Sequence, residues 1–155
     1  MLSLICKEIR KINKNRPYDF LIDIDLTEYD ESMPEVTFKI YGPQDSVYKD
    51  ITYRVKMLFS NDYPEYAPVL YFVNKCFHPN VDKDTGRICF NMIDEDWSSN
   101  LNINALIWGV YALLETPNPD SALWGSARRY FERYSYDDDR FVTKVKRKSL
   151  QEFSN

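Results

Sequence analysis

No apolar run in this 155-residue chain approaches the ~20 residues of a membrane-spanning helix; Leu106–Leu114 is among the longest. The apolar start, Met1 to Ile5, meets charge at Lys7 and falls short of the about 7–15 residues of a signal-peptide core. Neither membrane contact nor secretion is therefore expected, and cytoplasm or nucleus is the expected setting. Cysteine is sparse and odd in number: Cys6, Cys76 and Cys89 cannot all pair, which suits a reducing compartment. No CxxC spacing occurs. Cys76, His78 and Cys89 would offer zinc three ligands where a structural site takes four, so no metal is expected. Cys6 and Cys76 read instead as small buried apolar residues. Histidine is scarcer still, with His78 alone. Repeats and low-complexity segments are also missing.

What is present points to a packed core. Hydrophobic residues make up 44% and aromatics 15%, which excludes a disordered or collagen-like chain. The length suits one domain, 1–155, burying roughly two-thirds of the surface of its unfolded chain. The net charge of −4 is unevenly spread: up to Arg16, Lys7, Arg10, Lys11, Lys14 and Arg16 face Glu8 alone, and Asp23, Asp25, Glu28, Asp30 and Glu31 then reverse the sign. An acidic chain with a basic N-terminal helix is a poor partner for nucleic acid, yet Lys7, Arg10 and Lys11 suit an acidic protein surface. A merely solvated helix face accounts for those charges equally well.

Leu2, Ile5, Ile9 and Ile12 recur at helical spacing and predict an amphipathic helix ending before Pro17. Short β-rich runs follow at Phe20–Ile22, Val36–Tyr41, Ile51–Phe59 and Val69–Val73. Breakers at Asp30–Pro34, Gly42–Ser46 and Asn61–Pro64 separate them, and connections so short predict a four-stranded antiparallel meander. Ile51, Tyr53, Val55, Met57 and Phe59 alternate, so one face should lie beneath a helix. From Asn74 to Leu101 periodicity is lost, and a loop of that length in a compact domain is usually functional. Asn102 then caps a helix carrying Ile103, Leu106, Ile107, Val110, Leu113 and Leu114, stopped by Pro117 and Pro119. Two more helices are expected near Ser126–Tyr134 and Asp137–Leu150, the last with acids at its start and bases toward its end. The fold class is α+β: helix, four-stranded antiparallel meander, active-site loop, then three helices on one sheet.

Chemistry concentrates in the aperiodic stretch. His78-Pro79-Asn80 stands nine residues before Cys89, pairing an amide that can donate to an oxyanion with a thiol that can carry an acyl group. Asn80 serves equally well as a brace for its own loop. A Cys–His hydrolase is the rival, with His78 as base.

With Trp97 and Pro117-Asn118-Pro119-Asp120 added, these residues resemble the ubiquitin-conjugating enzymes, and the likeness runs from the first helix almost to the C-terminus. It implies that Cys89 takes the C-terminal glycine of ubiquitin or a ubiquitin-like modifier from an activating enzyme. The acyl group then passes to a substrate lysine, assisted by a RING-type ligase. No cofactor is implied, since ATP is spent upstream by the activating enzyme. Asn80 would be the oxyanion donor and His78, beside Pro79, a structural residue whose ring bonds the loop backbone. Asn91 and Ser121 match positions flanking the incoming lysine, although neither is a carboxylate, and Asp120 either joins them or caps the next helix. Trp97 would anchor the loop.

Lys7, Arg10 and Lys11 would meet partners, as would Glu65 and the Ser98-Ser99 pair, which stand where relatives contact ligases. Tyr63-Pro64 and Ala67-Pro68 resemble the family's proline turn, where a cis bond is a candidate. Tyr48-Lys49-Asp50-Ile51 replaces a glycine-bearing turn, so Asp50 must supply the left-handed residue. Cys89-Phe90-Asn91-Met92, Glu95-Asp96-Trp97 and Ile103-Asn104…Gly109 look most like the neddylation branch. A non-catalytic scaffold that binds modifier or ligase is the alternative.

Overall fold

A computed structural model of the chain describes residues 1–28 and 33–153. Helix α1 (Leu2–Asn15) buries Ile5, Ile9 and Ile12 on one stripe. It stops where the sequence predicts. Pro17 disfavours a right-handed helical Arg16, which sits at φ 41° and returns its N–H to Ile12 O at 2.8 Å.

Strands β1 (Leu21–Glu28), β2 (Glu35–Tyr41), β3 (Thr52–Leu58) and β4 (Val69–Phe72) form an antiparallel sheet in the order β1-β2-β3-β4. The predicted meander is present. β1 is longer than the run Phe20–Ile22, because Asp23 and Asp25 alternate with Ile24 and Leu26 and disguise a strand as an acidic stretch. Asp23 leaves the sheet to meet Lys39 at 3.0 Å on the neighbouring strand, while Ile24 is buried. The Asp30–Pro34 breaker falls partly on residues 29–32, outside the described residues. Asp50 does take the left-handed conformation, at φ 64°, and the Tyr63-Pro64 bond is cis. Gly42 is the glycine the preceding turn needs: a Cβ there would lie 1.9 Å from the carbonyl oxygen of Tyr48.

The inner sheet face, with Val36, Phe38, Ile40, Tyr53, Val55, Met57 and Leu70, joins the stripe of the central helix in one core. That helix comes third in chain order. A single turn, α2 (Asn91–Asp94), precedes α3 (Ile103–Glu115), and α4 (Gly125–Arg133) and α5 (Asp139–Ser149) follow. α2 is too short to leave a periodic signal. Asn102 caps α3, its side chain accepting from Ala105 N–H at 3.0 Å. α5 starts two residues later than read, because Asp138 is its cap and accepts from Arg140 N–H.

Glu8, the lone acid of α1, clasps three parts of the molecule. Its carboxylate accepts from Tyr63 O–H at 3.2 Å and from Ile103 N–H at 2.8 Å, at the start of α3. Burial, then Glu8, raise the Tyr63 pKa and keep that hydroxyl a donor. Glu8→Ala strands both donors and is expected to cost about 2 kcal/mol, read as a lower urea midpoint at unchanged slope.

Candidate active site

The chain reverses direction at Asp82–Gly86 to present the thiol. Asp82 Oδ1 accepts from Asp84 N–H (3.0 Å), Thr85 N–H (2.8 Å) and the Thr85 hydroxyl (2.9 Å). Gly86 closes the reversal at φ 79°, where a Cβ would meet Phe72 O at 2.6 Å, so only glycine fits. The single bridge Val81↔Ile88 then lays the returning chain beside the outgoing one, and Tyr71↔Arg87 lays it beside β4. Cys89 N–H donates to Asn80 O at 3.0 Å, which sets the thiol-bearing residue against the His-Pro-Asn run. The sequence reading passed over this turn. Its signal was Asp82-x-x-Thr85-Gly86, an Asx turn ending in glycine.

His78 is fully buried, and both ring nitrogens are taken. Nδ1 accepts from Asn80 N–H at 3.0 Å, which leaves the proton on Nε2, donated to Leu113 O at 2.8 Å. Burial lowers its pKa to about 4, with the Leu113 bond opposing, so the ring is neutral at physiological pH. A ring so occupied neither deprotonates Cys89 nor ligates a metal, and the hydrolase reading loses its base. Pro79 is buried too, and its carbonyl accepts from Leu123 N–H (2.7 Å) and Trp124 N–H (3.1 Å), hanging the start of α4 on the site.

Asn80 is occupied on every side. Its amide donates to Asn118 O (2.7 Å) and Ser121 O (3.1 Å), and its Oδ1 accepts from Asn118 N–H (2.8 Å). In this arrangement the amide braces segment 118–121, and donation to an oxyanion requires release of one of those carbonyls. Ser121 is exposed, its hydroxyl 3.4 Å from Asn118 Nδ2. Asp120 does not cap the following helix. It lies inside the 3₁₀ turn Pro119–Ser121, whose cap is Asn118, while the N-cap residue of α4 is Trp124, which makes no side-chain cap bond. Asn91 opens α2 on the exposed side, and its carbonyl receives Glu95 and Asp96 N–H.

Cys89 is half-buried, and its pKa is raised by burial first and then by Asp94, against an opposing pull from Arg87. Its resting form at neutral pH is therefore the thiol. Trp97 donates Nε1–H to Pro64 O at 3.0 Å and ties the loop to the cis turn. Lys7, Arg10 and Lys11 are exposed on α1, as are Glu65, Ser98 and Ser99. Beside Glu65, Tyr66 is 67% exposed. Among the described residues no helix is long and apolar enough to cross a membrane.

The family model for ubiquitin-conjugating enzymes matches residues 4–149. The chain belongs to that family. Ubiquitin-conjugating enzyme E2 S of Nematostella vectensis is 32% identical over 135 residues, covering 86% of this chain and 64% of that protein. Ubiquitin-conjugating enzyme E2 N of Macaca fascicularis is 42% identical over 84 residues, covering 54% of this chain and 55% of its own. The chain thus spans between about half and two-thirds of the length of these curated relatives. A solved ubiquitin-conjugating enzyme, Pex4p of H. polymorpha in complex with the soluble domain of Pex22p, superposes with a TM-score of 0.81 at 19% identity over 97% of each chain. At that identity the match speaks for the fold. The α+β architecture read from the sequence is the ubiquitin-conjugating fold.

Proposed function

We propose that Cys89 accepts the C-terminal glycine of ubiquitin or a ubiquitin-like protein from an activating enzyme and passes it to a substrate lysine or a ligase. The observation that carries this reading is a half-exposed thiol held by its own backbone N–H against Asn80, at the end of a glycine-closed turn. In the first step the Cys89 sulfur attacks the incoming thioester carbonyl, its proton leaves, and the departing thiol of the activating enzyme is released. In the second, a neutral amine attacks, an amide forms, and Cys89 regains its thiol. Asn80 is proposed to stabilise the oxyanion in either step, after one of its amide hydrogens is freed from Asn118 or Ser121. With Asn91 and Ser121 uncharged, burial of the amine contributes most to making it neutral.

The raised thiol pKa bears on the first step: burial and Asp94 keep Cys89 a thiol at neutral pH, so its proton must leave before or as the sulfur attacks. Alkylation by iodoacetamide, followed peptide by peptide, is expected to be slower at Cys89 than at free cysteine at pH 7.5. Its rate should still be rising at pH 9.0, the ordinary value for a thiol. A half-maximum below that value would contradict the buried, acid-flanked thiol.

Ubiquitin is the modifier favoured by the names of the relatives. A Nedd-type modifier is the second reading, supported by Asn91, Glu95-Asp96-Trp97 and Ile103-Asn104…Gly109. Lys7, Arg10 and Lys11 are proposed to meet the activating enzyme, and Glu65, Tyr66, Ser98 and Ser99 a RING-type ligase, in cytoplasm or nucleus. Each modifier, offered with ATP and its own activating enzyme, is scored on non-reducing gels for an adduct that thiol removes. No adduct with any modifier would leave the non-catalytic scaffold as the better reading.

A further inference from the structure

The chain carries 24 acidic and 20 basic residues, yet its last two helices gather cations along a shared cleft. One half of the cleft is lined by Ser126, Arg129, Tyr130, Glu132, Arg133 and Tyr134 of α4. The other half is lined by Tyr130 with Asp139, Arg140, Thr143, Lys144 and Arg147 of α5. Tyr130 lines both, so the two halves adjoin at its side chain. Glu132 is engaged by Arg128 at 2.6 Å and Arg140 by Asp138 at 2.9 Å. Arg129, Arg133, Lys144 and Arg147 make no ion pair with any described residue. Their charge is unspent.

Two cations of the cleft, Lys144 and Arg140, lie against aromatic rings. Lys144 Nζ lies 5.4 Å from the ring centres of both Phe77 and Tyr130, and the Arg140 guanidinium sits 4.6 Å over Tyr134. Lys148 behind them has its pKa lowered, by burial and then by Lys75, Lys144 and Arg147, the sign of a crowded positive surface. Half-buried tyrosines among these cations offer a ligand both apolar contact and counter-charge.

We infer that the α4–α5 cleft docks an acidic peptide segment of a partner protein, its carboxylates on Arg129, Arg133, Lys144 and Arg147 and its neutral side chains on Tyr130 and Tyr134. A peptide suits the cleft better than a nucleic acid. Glu132 and the Asp137-Asp138-Asp139 run border it and would repel a backbone charged at every residue, whereas a peptide can set neutral residues opposite them. The charged groups that act on Cys89 are Asp94, Arg87 and Asp82, none from α4 or α5. Docking here therefore leaves the thiol electrostatically untouched, and the inference stands whether or not Cys89 carries a modifier.

The probe is a fluorescein-labelled peptide of glutamates interspersed with serine and leucine, followed by anisotropy on the full chain. Binding is expected at low salt and should weaken steeply as salt rises from about 10 to 150 mM, where screening shortens from about 30 to 8 Å. The exposed changes Arg129→Glu, Arg133→Glu and Arg147→Glu should each weaken it about tenfold, with thermal unfolding unchanged. The equally charged α1 changes Arg10→Glu and Lys11→Glu should leave it alone. Equal loss in the α1 variants, absence of binding at low salt, or tighter binding of a single-stranded oligonucleotide of equal charge would each overturn the proposal.

Discussion

Cys89→Ala is expected to form no modifier adduct, whereas Cys6→Ala and Cys76→Ala keep theirs. The three thiols differ in burial or in how the chain presents them, and that decides. Cys76 is fully buried, and burial pushes its pKa far above the ordinary thiol range, so no protein tail reaches it. Cys6 is half-buried in the middle of α1, with no reversal of the chain to present it. Cys89 is half-buried as well, but it alone lies at the end of a turn, with its backbone N–H fixed on Asn80 O. Cys89→Ser provides the second arm: an oxygen ester formed there resists thiol, so the adduct should survive reducing gels. An adduct that persists in Cys89→Ala, and still falls to thiol, would move the chemistry to another residue.

Lowering the pH from 6.5 to 4 is expected to remove about 3 kcal/mol of stability through His78 alone. The folded ring has a pKa depressed to about 4, against 6.5 when unfolded, so the unfolded chain binds the proton more tightly. The contribution is complete above pH 6.5 and is lost as the pH falls toward 4. Because His78 is the only histidine, no second imidazole blurs that window. Urea unfolding across the window in wild type and in His78→Gln isolates the effect. The variant starts weaker, because Asn80 N–H and Leu113 O lose a partner, but its pH slope should be shallower by about that amount. Equal slopes would mean that the ring is protonated, or reachable by water, in the native state.

The fold was largely legible because its signals are local. Ile5, Ile9 and Ile12 declare a helix, Pro17 its end, and the alternation through β3 a half-covered sheet. β1 was cut short because its acidic residues mimic a solvated stretch, although Ile24 is buried and Leu26 packs against the core. The site was legible in part, with Cys89 and the His-Pro-Asn run standing out by type and spacing. What Asn80 bonds was not legible, since its partners Asn118 and Ser121 lie 38 and 41 residues away, and only the folded chain brings them together. The same holds for Glu8, whose partner Ile103 is 95 residues distant. The Asp120 cap failed for a simpler reason. Asn118, two residues earlier, takes the Asp120 N–H and starts the turn itself.

Helix α3 is fastened at both ends to functional chemistry. Its first backbone N–H is held by a carboxylate on the helix proposed to meet the activating enzyme, and Leu113 in its last turn holds the imidazole that fixes the Asn80 main chain. A rod pinned in this way can tilt at one end only by shifting the other. The N-terminal helix and the His-Pro-Asn run are thus tied to opposite ends of one helix, about one helix-length apart.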